Sequence, residues 1–146
     1  MARVKRALKK AIAVIGEGYT ERDYFNYIRV TRQFKFSFKP ELCKPSNYKE
    51  IFNKAKQLKQ EDYDLIFCVL DIDTIIRENH LADFAKRCKQ LGSKNIIPIA
   101  SNPCIEFWFL LHFQKHTSFK FYEDCNQLME QLQKYIPNYN KNHKSQ

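Results

Sequence analysis

Leu65-Ile66-Phe67-Cys68-Val69-Leu70-Asp71-Ile72-Asp73 is the stretch that decides the fold. Six consecutive apolar residues, with β-branched and aromatic members, stop abruptly at a pair of aspartates. A run of this length suits a strand at the centre of a parallel sheet, covered on both faces. The aspartates would then stand at its carboxyl end, where open parallel sheets bind their ligands.

On the N-terminal side, Ala11-Ile12-Ala13-Val14-Ile15 reads as a second buried strand, closed by the tight turn Gly16-Glu17-Gly18-Tyr19. Thr20 is placed as a helix N-cap with Asp23 completing an acidic capping box, and Tyr24, Phe25 and Ile28 share one side of the helix that follows. Phe34, Phe36 and Phe38 alternate with polar residues, the period of a half-exposed strand, and residues 40–45 read as a loop. Asn47 and Glu50 signal another helix start, before Ile51, Phe52, Ala55 and Leu58 at helical spacing.

On the C-terminal side, Leu81, Phe84, Ala85, Cys88 and Leu91 form a helical stripe ended by Gly92 as the C′ residue. Residues 95–99 form a strand that Pro98 consigns to an edge, because proline has no N–H for a ladder. Asn102 and Pro103 read as N-cap and first helical residue of an apolar, buried helix over 104–113. Cys125, Leu128, Met129 and Leu132 mark a last amphipathic helix, and the tail after Pro137 reads as polar and frayed. The order β-α-β-α-β-α-β-α-α predicts an α/β fold with an open, mostly parallel sheet and helices on both faces. The expected organisation is a basic segment at 1–10, one domain over 11–136 and a polar tail over 137–146.

Composition narrows the function classes. The chain has 146 residues and a formal charge of +9, which favours polyanionic partners such as nucleic acid. No apolar run approaches the roughly 20 residues of a membrane helix. The five cysteines are odd in number, contain no Cys-x-x-Cys pair and lie mostly in apolar patterns. They read as reduced core thiols of a cytoplasmic protein rather than a disulfide frame or zinc site.

Glu17 follows the first strand; Asp71 and Asp73 follow the third. If these strands are neighbours, three carboxylates converge and would repel one another unless a cation neutralises them. Mg²⁺ or Mn²⁺ suits such all-oxygen donors. Capping of a loop or helix is the plainer role for Asp71 and Asp73. Gly16 and Gly18 let backbone approach a ligand closely, but neither a Walker loop nor a dinucleotide fingerprint is present. Glu21 suits the helix dipole slightly better than a metal on spacing alone. Glu106 is a carboxylate in an apolar helix, costly unless paired or metal-bound. Trp108 reads as core; His112 is a candidate acid or base, though a hydrogen-bonded core histidine is the preferred reading. His80, His116 and His143 carry no signal.

Three motifs in order, Ile15-Gly16-Glu17-Gly18-Tyr19-Thr20-Glu21-Arg22-Asp23-Tyr24-Phe25, then Asp71-Ile72-Asp73, then Ser101-Asn102-Pro103-Cys104-Ile105-Glu106-Phe107-Trp108-Phe109-Leu110-Leu111-His112-Phe113, resemble the RloB-like family. These are Toprim-type proteins found near restriction and other phage-defence genes. The resemblance implies a Toprim-like fold and a Mg²⁺ site, with Glu17 as general acid/base or ligand and Asp71 and Asp73 as metal ligands. Related nucleases use further acidic residues, which makes Glu21 and Glu106 secondary candidates. The implied activity is metal-dependent cleavage of DNA or RNA in phage defence. The alternative is a weak or silent binding subunit that works with a partner ATPase or with nucleic acid. The chain ends soon after Tyr139-Asn140-Lys141, so little or no C-terminal contribution to the site is expected.

Overall fold

The computed structural model describes residues 10–34, 37–43, 47–114 and 121–141. Four strands form one all-parallel open sheet in the order β2-β1-β3-β4: β1 (Ala11–Gly16), β2 (Ser37–Leu42), β3 (Leu65–Asp71) and β4 (Ile96–Ser101). The helices are α1 (Tyr19–Arg32), α2 (Tyr48–Gln60), α3 (Ile72–Arg77), α4 (Leu81–Leu91), α5 (Glu106–Leu110) and α6 (Cys125–Gln133). This is the α/β, Toprim-like architecture expected, with β1 and β3 central and adjacent.

Period-two alternation sends the strand residues to two cores. Ala13, Ile15, Ile66, Cys68, Leu70 and Ile96 meet Ile51, Phe52, Ala55 and Leu58 of α2, Ile75 of α3, and Phe84 and Leu91 of α4. On the opposite face Val14 and Val69 meet Ile105, with Phe25, Phe67 and Phe109 packed against them. A third cluster joins α5 to α6 through Cys104, Leu110, Leu128 and Leu132.

Several local expectations are corrected. Helix α1 starts two residues early, with Gly18 rather than Thr20 as N-cap, because the Glu21 carboxylate turns back to accept the Gly18 N–H (3.1 Å). Thr20 instead donates to the Lys141 carbonyl (3.2 Å). Strand β2 lies at 37–42 and includes Pro40, which an edge strand tolerates; Lys35 and Phe36 lie outside the described residues. Pro98 does lie on an edge strand. Gly92 is not a left-handed C′ residue: its φ is −58°, a 3-10 turn continues through Lys94, and Asn95 takes the left-handed turn at φ 55°. Helix α5 is confined to Glu106–Leu110, with Ile105 rather than Asn102 before it. The backbone at 103–105 is instead engaged by the Asp71–Asp73 segment. Trp108 is 53 % exposed, so it is not core. No helix among the described residues is long and apolar enough to cross a membrane. The segment 1–9, His116, His143 and Lys144 lie outside the described residues.

Candidate functional site

The site is built at the carboxyl end of β1 and β3. Strand β1 ends at Gly16, where a Cβ would lie 2.6 Å from Glu21 Cβ. Only glycine lets the first turn of α1 come this close, and that approach brings Glu21 under the strand end, where it is 2 % exposed. Gly18 supplies the N–H that holds the Glu21 carboxylate. Asp71 closes β3 beside it, and its backbone N–H donates to Glu17 Oε1 (3.3 Å). The chain leaving β4 crosses the same end. Pro103 accepts the Asp73 N–H (3.1 Å), Ile105 N–H donates to Asp71 Oδ1 (2.9 Å), and Glu106 enters fully buried.

The C-terminal segment completes the cluster, contrary to the frayed tail and negligible contribution expected. Tyr139 O–H donates to Glu106 Oε1 (2.9 Å). Lys141 Nζ donates to Asp71 Oδ2 (2.6 Å) and Glu106 Oε2 (3.3 Å). Neither residue stands in a sequence motif. The only clue was that a carboxylate at Glu106 needs a paired cation or metal, and nothing in the sequence said that the cation would be 35 residues further on.

Burial and mutual repulsion set the proton affinities. Burial, then Asp71, then Glu21 push the Glu17 carboxyl up to about 8. Burial and then Asp71 raise Glu21. Burial also raises Asp71, although the Lys141 ammonium opposes it. Burial alone would lower Lys141, but Asp71 and then Glu106 outweigh it and hold the ammonium well above its ordinary value. Burial and Glu106 likewise keep Tyr139 a neutral donor. Glu17, Glu21, Asp71 and Glu106 thus share the charge of Lys141, and a further cation would relieve their repulsion.

Asp73 is placed differently from Asp71. Helix α3 begins between them, so Asp73 sits in a helical turn with Oδ1 bonded to Thr74 N–H (2.7 Å). His112 is exposed, with Nε2 3.3 Å from Tyr24 Oη, which also accepts the Trp108 indole N–H (2.7 Å). It is hydrogen-bonded, as expected, but not in the core. On the α2 side Glu17 borders a cleft of about 340 Å³, lined also by Asn47, Tyr48, Thr74, Glu78 and His80.

The cysteine expectation is also corrected. Cys104 and Cys125 are joined as a disulfide, because the α5–α6 packing brings them together; Cys43, Cys68 and Cys88 are not disulfide-bonded. Cys125 Sγ lies 3.6 Å from Glu106 Oε2 and 3.9 Å from Lys141 Nζ. Donor atoms of Cys104, Glu106 and Cys125 all lie within 4.8 Å of one another, a grouping that could hold a metal ion only with its two sulfurs reduced.

Searches of the curated proteins and of the solved structures found no match. The family model described as RloB-like protein matches residues 12–146, which takes in the strands and helices of the described residues from the second residue of β1 onward and the site residues from Glu17 to Lys141. The chain belongs to the RloB-like protein family.

Proposed function

We propose that this chain is a metal-dependent nuclease that hydrolyses phosphodiester bonds in a phage-defence or restriction-associated system. The observation that carries the reading is the convergence of Glu17 with the buried carboxylates of Glu21, Asp71 and Glu106 at the carboxyl end of the parallel sheet. The donors are hard oxygens, buried and crowded enough to raise Glu17 to about 8, which is the chemistry that Mg²⁺ or Mn²⁺ fits. Glu17, Asp71 and Glu106 would hold the ion, with Glu21 and Asp73 as further candidates. Bound there, it would activate a water and offset charge on the phosphate.

The chain's own groups define the remaining roles. Glu17 borders the open cleft and, where it does not ligate the ion, has the proton affinity of an acid/base near neutral pH. It can exchange a proton with the attacking water or the leaving oxygen. Lys141 holds a permanent positive charge where a phosphate oxygen would approach Asp71. Ile105 N–H fixes the Asp71 carboxylate, so its orientation costs no reorganisation. The net charge of +9 favours the nucleic-acid backbone as substrate.

The test is cleavage of labelled single- and double-stranded DNA and RNA, tRNA included, with Mg²⁺ or Mn²⁺. Wild type is compared with Asp71→Asn and Glu17→Gln purified identically. Cleavage by wild type alone supports the reading and names the substrate; equal cleavage by all three, or none by any, sinks it. One observation favours a second reading, a catalytically silent subunit acting with a partner ATPase or nucleic acid: the Lys141 ammonium already bonds Asp71 and Glu106. A native state that binds Mg²⁺ must gain thermal stability from it, so an unchanged melting temperature in millimolar Mg²⁺ would favour the silent subunit.

A further inference from the structure

We propose that Cys104, Cys125 and Glu106, once the disulfide is reduced, form a site for a soft divalent cation of the zinc class, and that the disulfide is its oxidised, metal-free state. Three observations point there. The donor atoms of these residues lie within 4.8 Å of one another, with the two sulfurs joined as the disulfide. Cys104 and Glu106 are fully buried and Cys125 is half-buried, so the donors are held in place and reached from the α6 side. The cluster also has an excess of negative charge: Glu106 already shares Lys141 with Asp71.

Opening the disulfide transfers two electrons and two protons from a small-molecule dithiol reductant, which leaves as its own disulfide. Cys104 and Cys125 are then thiols. Binding a divalent cation displaces both thiol protons to the buffer and moves no electrons. Two thiolates and one carboxylate give three protein ligands, and water completes the tetrahedron that zinc prefers. Thiolate sulfur selects zinc over magnesium, so the site is chemically distinct from the all-oxygen cluster although it shares Glu106. Lys141 does not bar the cation. Its shortest bond is to Asp71, at 2.6 Å, and two thiolates with Glu106 and Asp71 leave the surroundings net negative even with the metal bound. Oxidation removes both sulfur ligands at once, which makes the site redox-gated.

The experiment uses the full chain with Co²⁺ as a spectroscopic stand-in for Zn²⁺. The chain is reduced with a phosphine, exchanged into buffer without reductant under anaerobic conditions, and titrated. The expected result is a thiolate-to-cobalt charge-transfer band that saturates at one equivalent and is displaced by Zn²⁺. The air-oxidised chain should show none. Cys125→Ser should lose the band while keeping its circular dichroism spectrum, and Asp71→Asn should keep the band. Absence of the band from the reduced chain, or its persistence in Cys125→Ser through the free thiols elsewhere, overturns the proposal. So does its loss in Asp71→Asn, which would make Asp71 a ligand that the proposed site does not include. The readout needs no nucleic-acid cleavage, so the nuclease reading and this one stand or fall separately.

Discussion

Lys141 reaches two buried carboxylates from a tail segment, and its side chain keeps 35 % of its surface exposed. Removing one partner of a fully buried pair costs about 3–5 kcal/mol, because the other charge is left uncompensated. With its ammonium partly solvated, Lys141→Met should cost less, on the order of 2 kcal/mol at neutral pH. Urea denaturation checks this, and adding Asp71→Asn should recover part of the loss. Glu17 gives a prediction of a different kind. Its folded carboxyl is raised from 4.5 to about 8, so across that window the native chain binds more protons than the unfolded one. Its contribution to stability is therefore fully present below the unfolded value and is lost as pH rises through the folded value. In chelator, the melting temperature of wild type should fall between about pH 5 and 8 relative to Glu17→Gln, which lacks the titrating group. Parallel profiles for the two proteins would show that Glu17 is not held protonated.

The β1–α1 junction is the element that makes the site, and Gly16 is its tightest point. A methyl group there meets Glu21 Cβ at 2.6 Å, so Gly16→Ala must push α1 away from the strand end. Overpacking of this kind costs about 1–3 kcal/mol. The same displacement should shrink the stabilisation by Mg²⁺, so thermal shifts with and without the ion test both effects; a destabilised variant with an undiminished Mg²⁺ shift would mean Glu21 has no part in the site. This turn was legible in the sequence because two of the chain's three glycines flank Glu17. Strands β1 and β3 were legible as continuous apolar runs, and α2, α4 and α6 as apolar stripes. The rest depended on contacts that local patterns do not encode. Helix α3 escaped notice because Thr74, Ile75 and Ile76 extend an apolar pattern that does not separate a single helical turn from a strand exit. Helix α5 is shorter than its apolar run because Ile105 N–H is bonded to Asp71 and the chain turns again after Leu110. Trp108 looked like core by composition, yet its indole N–H is satisfied by Tyr24 at the surface.

At the scale of the molecule, four stretches remote in sequence meet at one edge of the sheet, and the last of them was the least legible. The polar residues after Pro137 carry the pattern of a frayed end, whereas Tyr139 and Lys141 bond two buried acids, Glu106 and Asp71, and the Lys141 carbonyl accepts from Thr20. What anchors them is α6, whose Leu128 and Leu132 are fully buried against α5, so the tail's position follows from packing rather than its own composition. Ending the chain after Ile136 separates the two possibilities. The main core draws no residue beyond Ile96, so the truncated chain should still fold and give a native circular dichroism spectrum. Glu106 would lose the Tyr139 hydroxyl and, with Asp71, the ammonium, each loss leaving a buried acceptor at about 1–3 kcal/mol or more. The truncation should therefore lower the urea midpoint by more than Lys141→Met does, and millimolar Mg²⁺ should recover more stability in the truncated chain than in wild type, since the ion would replace the missing positive charge. A truncated chain with a wild-type urea midpoint would show that the tail is the frayed end its sequence suggests, and that the carboxylates are held without it.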